Sequence, residues 1–219
     1  MATHNKLLIL LITLGLMIGL FSKPDYQHEN KTPWNIQTLA SGGVHVFGIT
    51  PGKTTIQEAN QLLGQFTEPR LYNNAPVRLL ATYEKIIIGE EVARIELEYQ
   101  LDELDLAEVQ QGVTEFHVCQ YSKLTTEQEI HLLNKPIAKI IYTPQKQYTR
   151  NAIERKLGDA DSIDESKPDQ QILRYAKYQL TVTINKDKPD VLVYDSVRPT
   201  NTLEQVPVQE KPVPEKIGR

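Results

Sequence analysis

From residue 92 to residue 100 the chain alternates without a slip. Ala93, Ile95, Leu97 and Tyr99 fall on one side, and Arg94, Glu96 and Glu98 on the other. A period of two marks a strand with one buried and one wet face. That pattern narrows the fold, because a sheet solvated on one side is normally antiparallel and covered on the other side only. Upstream, 77–88 repeats the period through Val77, Leu79, Ala81 and Tyr83, with Gly89-Glu90-Glu91 as the turn between the two strands. Shorter strands are expected at 44–47, 114–121 and 137–142, a long one at 172–184, and a returning one at 191–197. The polar stretches 69–76 and 159–169 read as loops.

Helical signals sit between these strands. In 47–64, Thr54 with Gln57 or Thr55 with Glu58 fits a capping box, and Ile56, Ala59, Leu62 and Leu63 share one face. Gly64 then stands where a left-handed C-cap is wanted. Thr126 with Glu129 opens a second candidate at 124–134, and 149–157 is a third, closed by Gly158. A shift of 94 positions lays Thr55, Ala59, Leu63 and Gly64 on Thr149, Ile153, Leu157 and Gly158. Helix then hairpin, twice, predicts an α+β fold of two small units at 44–112 and 113–198, followed by a disordered tail at 199–219.

The uncharged run 7–21 lies between Lys6 and Lys23. As a helix it would span about 22 Å, and no small-x-small pattern follows it, so it reads as an uncleaved transmembrane anchor in preference to a cleaved signal. Residues 1–23 are then the anchor or signal, and 24–43 a linker in which Trp34 either lies at the membrane interface or packs on the domain. This predicts a single-pass inner-membrane protein with its bulk in the periplasm. Gly15 and Gly19 form a G-x-x-x-G that permits close contact with another membrane helix. A net charge of −4 with no basic stripe argues against nucleic acid, and the single cysteine, Cys119, excludes an intrachain disulfide.

Residues 48–64, with their Gly-Ile-Thr opening and Leu-Leu-Gly close, resemble the signature of the BamE/SmpA-like envelope domains. A tandem of such units also resembles the architecture of the β-lactamase-inhibitor-protein family. What the resemblance implies is a non-catalytic, protein-binding domain in a Gram-negative envelope.

Catalytic patterns are lacking. Pro51-Gly52-Lys53-Thr54 includes Gly-Lys-Thr, but the first glycine of a phosphate loop would fall at Val46 or Phe47. There is no Gly-x-Ser-x-Gly elbow and no His-Glu-x-x-His. His117 and Cys119 point to one face of their expected strand, a start for soft-metal ligation, with His45 and His131 as the nearest further candidates. Asp102, Glu103, Asp105 and Glu108 read as a solvated helix or loop. The sequence therefore predicts a scaffold or binding module with no catalytic residue and no cofactor, holding a protein partner of the cell envelope through the wet sheet face or a sheet edge. The alternatives are an accessory subunit of a membrane enzyme complex and a metal-binding envelope protein.

Overall fold

The computed structural model describes residues 31–72, 76–111 and 121–196. A short ribbon, β1 (Gln37–Thr38) with β2 (Val44–His45), precedes helix α1 (Ile56–Leu63). Then come β3 (Pro69–Tyr72), β4 (Arg78–Ile88), β5 (Glu91–Tyr99), α2 (Glu103–Gln111), β6 (Tyr121–Lys123), α3 (Thr126–Leu132), β7 (Ile137–Pro144) and α4 (Arg150–Leu157). The chain closes with β8 (Ser162–Lys167), β9 (Gln170–Tyr175), β10 (Leu180–Asn185) and β11 (Val191–Asp195). Strands β3 to β11 form one antiparallel sheet in the order β6-β3-β4-β5-β7-β11-β10-β9-β8.

This corrects the expected α+β pair of helix-plus-hairpin units. The fold is mostly β. β7 pairs β5 on one side and β11 on the other, so the two halves share a continuous ladder. Register makes the continuity concrete. Tyr83, Ile95, Tyr142, Leu192, Val182, Leu173 and Ile163 are successive partners across seven strands. A parallel row runs Pro69, Ala81, Leu97, Ile140, Tyr194, Leu180 and Tyr175. Between the terminal Pro69 and Ile163, these inward rows form a single core with Ile56 and Ala59 of α1, Val109 of α2, Leu132 of α3 and Ile153 of α4. No helix of the described residues is long and apolar enough to cross a membrane. The run 7–21, with Gly15 and Gly19, lies outside the described residues, as does the tail expected at 199–219.

Several local readings also change. Pro69 opens β3, the first strand position, where its missing N–H breaks no ladder. The stretch read as a loop at 159–169 contains β8, an exposed edge strand whose Asp, Glu and Lys side chains blunt further pairing. The long strand expected at 172–184 is two, folded at a 3₁₀ turn over Ala176–Tyr178, with Gln179 at φ 46°. Thr55 with Glu58 is the capping box of α1, and Thr125 with Gln128, one residue before the expected pair, caps α3.

Three features fix α1 on the sheet. The Ile56 and Gln57 N–H groups donate to the Lys135 and Leu133 carbonyls, so its first turn is stitched to the α3–β7 connection. Buried Asn60 accepts a 2.6 Å bond from the Tyr83 hydroxyl. Before the helix, Phe47 and Gly48 sit at φ 58° and 84° in a tight turn closed by Val46 and Ile49. Phe47 holds that left-handed backbone because its ring is buried, stacked 5.3 Å from Tyr142 and edge-on 5.8 Å from Tyr194. Within the stretch 24–43 expected as a linker, Pro33 and Trp34 pack on the domain. The Tyr194 hydroxyl donates to the Pro33 carbonyl at 2.7 Å, and Trp34 meets Tyr148 edge-on at 4.9 Å.

Candidate functional site

A sheet strand points alternate residues to opposite faces, so the rows between the inward ones build a second face. One runs Lys123, Arg70, Leu80, Glu98, Lys139, Asp195. The next runs Thr82, Glu96, Ile141, Val193, Thr181, Arg174, Ser162 across seven strands. A third places Arg94 beside Thr143, and Val191 beside Thr183, Ile172 and Asp164.

The chemistry of this face is zoned. At its centre, on β7, β11, β10 and β9, stand Ile141, Val191, Val193 and Ile172 with Thr143, Thr181 and Thr183. All seven are half-buried, and the four aliphatic side chains are not part of the core. Around them charges pair. Lys139 lies 3.8 Å from both Glu98 and Asp195, Arg94 is 3.3 Å from Glu96, and Arg70 is 3.5 Å from Glu84. Toward the β6 edge, Lys123 bonds Glu68 at 2.8 Å. The hydrogen bond and charge of Lys123 hold the Glu68 carboxyl below its usual range, and the same contact raises the Lys123 ammonium. Arg70 lies over the Tyr121 ring at 4.8 Å, and Tyr121 meets Tyr72 at 5.8 Å. On the same face the Thr82 hydroxyl is buried with no hydrogen-bond partner among the described residues.

Size follows from strand spacing. With strands about 4.8 Å apart and same-face residues about 6.8 Å apart along a strand, the seven central positions cover roughly 230 Å². The three rows span six, seven and six strands, which together make roughly 600 Å² of projected sheet. That is somewhat below the roughly 800 Å² one partner contributes to a standard specific interface, and the apolar centre with its polar rim follows the anatomy of such interfaces. Edge addition fits less well, since β8 is charged and irregular in register between Asp164 and Lys167.

The residues singled out from sequence are scattered. His117 and Cys119 lie outside the described residues. His45 Nδ1 is 2.9 Å from the Thr50 hydroxyl beside the first ribbon, while His131 is exposed on α3. Among the described residues no three His, Cys, Asp or Glu side chains gather as a metal site. The Gly-Lys-Thr turn is structural: the Gly52 N–H donates to Ile137 O, and the helix that follows has its first N–H groups occupied, leaving none to cradle a phosphate. Of the acidic cluster, Asp105 bonds Lys135 at 2.6 Å, which holds its carboxyl below the usual range, and Asp102 accepts the Asp105 N–H at 2.8 Å. This is a helix start tied to the α3–β7 connection, and Asp105 and Glu108 line a small cleft there with Val109, Gln128, His131 and Leu132.

Sequence reading passed over Ile141, Val191 and Val193. The signal was present in Ile140-Ile141 and Val191-Leu192-Val193-Tyr194, where apolar residues lose the alternation and both strand faces are apolar. The chain matches no family model, and no curated protein or solved structure is significantly similar to it.

Proposed function

We propose that this protein is a non-catalytic binding module that holds a protein partner on the sheet face opposite its helices. The observation that carries the reading is the second apolar stripe, Ile141, Val191, Val193 and Ile172. It lies outside the core, is flanked by threonines and is rimmed by ion pairs, the apolar centre and polar rim of a specific interface. β-Branched and threonine side chains suit such a role, because they are stiff and lose little freedom on docking. The uncharged run at 7–21 supports placing this role at the cell envelope.

The test is a pair of charge insertions. Ile141→Arg with Val193→Arg puts two cations into the middle of the face without touching the core. A partner that co-purifies with the wild-type chain is expected to be lost from this variant while its thermal midpoint stays near that of the wild type. Retention of the partner by a folded double variant refutes the assignment of the face.

A further inference from the structure

At the far end of β5 from the centre of that face, a carboxylate is bound by three different side chains. Glu91 Oε2 accepts from the Tyr148 hydroxyl and, at 3.3 Å, from the Tyr142 hydroxyl. Its other oxygen pairs with the Lys146 ammonium, which also lies 5.4 Å from the centre of the Tyr148 ring. Trp34, packed edge-on against the same ring at 4.9 Å, completes the wall. Burial works against ionisation of Glu91, but the hydrogen bonds from Lys146 and Tyr148 outweigh it and keep the carboxyl below its usual range.

The members of this cluster are held unequally. The Glu91 side chain is 21% exposed and Tyr148 is buried, whereas the Lys146 side chain is 58% exposed. A mostly buried carboxylate needs a cation, because an unpaired charge out of water is strongly disfavoured. A mostly exposed lysine gives up little when it swings back into solvent. The carboxylate and the aromatic wall are therefore the fixed part, and the ammonium is the exchangeable one.

We propose that Glu91, Tyr148, Tyr142 and Trp34 form a receptor for a primary ammonium, filled in the free protein by the chain's own Lys146. The ligand is an –NH₃⁺ group, from a free amine or from a lysine of a protein partner. It takes the ion pair on Glu91 and the face of the Tyr148 ring, the two contacts Lys146 vacates. This site is separate from the outward sheet face and stands or falls independently of it.

Trp34 is the only tryptophan in the chain and so reports on the site by its emission. The full-length protein, its Lys146→Ala variant and the Lys146→Ala/Glu91→Gln variant are titrated with n-butylamine hydrochloride, n-butanol, tetramethylammonium and a short lysine-containing peptide. Lys146→Ala is expected to give a saturable change with n-butylammonium at a concentration at least about threefold below that of the wild type, the size of one partly screened competing ion pair. n-Butanol, equal in shape but uncharged, gives no saturation, and Glu91→Gln abolishes the response. Tighter binding of the peptide than of n-butylamine assigns the ammonium to a protein partner, and equal binding assigns it to a free amine. No saturation in Lys146→Ala, saturation by n-butanol, or tetramethylammonium binding as well as n-butylammonium overturns the proposal. The alcohol and quaternary controls decide the matter even if the Glu91→Gln variant does not fold.

Discussion

Of the contacts that fix helix α1, the buried side-chain bond between Tyr83 and Asn60 gives the sharpest stability prediction when removed. Tyr83 and Asn60 are each 1% exposed, and their side chains meet at 2.6 Å. Burial raises the Tyr83 hydroxyl far above its usual titration, so it stays a donor throughout the accessible pH range. Tyr83→Phe keeps the ring and leaves the Asn60 carbonyl without that donor. Stranding a buried acceptor costs about 1–3 kcal/mol, well above the net value of an ordinary hydrogen bond. Taking about 2 kcal/mol, and about 2–4 °C per kcal/mol for a chain of this size, the thermal midpoint falls by roughly 4–8 °C. Asn60→Ala strands the hydroxyl instead and loses a similar amount. The double variant has nothing left unpaired, so its loss is smaller than the sum of the singles by about 1–2 kcal/mol. Chemical denaturation of the four proteins measures that coupling. Additive singles, or a neutral Tyr83→Phe, would show that the bond does not hold α1 in place.

Changes at three further positions test other parts of the fold. Gly64→Ala adds a Cβ that meets nothing within 4 Å, but at φ +67° the left-handed backbone alone lowers stability by about 1–2 kcal/mol in denaturant unfolding. Phe47→Ala empties the slot between Tyr142 and Tyr194 and costs about 3–5 kcal/mol. Phe47→Gly leaves the same cavity yet relieves the positive φ, so it unfolds about 1 kcal/mol later than Phe47→Ala, an order that inverts if the turn is not left-handed. Glu91 has a carboxyl lowered in the folded state, so its contribution is present above the unfolded carboxylate range and is lost as pH falls through the folded value. The stability gap between wild type and Glu91→Gln is therefore expected to be full at pH 7 and to close below about pH 4, as followed by urea midpoints across pH.

Local chemistry was readable where it is set by neighbours in sequence. The strand pair 77–88 and 92–100 appears as β4 and β5 within a residue or two, with Ala93, Ile95, Leu97 and Tyr99 inward, because strict alternation needs no knowledge of the partner. Thr55 and Gly64 cap α1 in the expected roles and Gly158 closes α4, since capping is a contact over three or four residues. Pairing across the chain was not readable. Nothing in 137–144 says that β7 lies between β5 and β11, and that placement turns two expected units into one sheet. β3 and β8 were missed because a proline and a run of charges are tolerated at a strand start and at a sheet edge, where solvent completes the hydrogen bonds. The candidate face was hidden for the same reason as the topology: Ile141 and Val193 become neighbours only through the β7–β11 ladder.

The most direct test of the outward face as a binding surface is site-specific photo-crosslinking in the native cell. A photoreactive side chain is placed at Ile141, at Val193, or at exposed Gln57 on the opposite, helical side. The account predicts one discrete adduct of defined mass from Ile141 and from Val193, and none from Gln57. Equal labelling at all three positions, or an adduct from Gln57 alone, would contradict it.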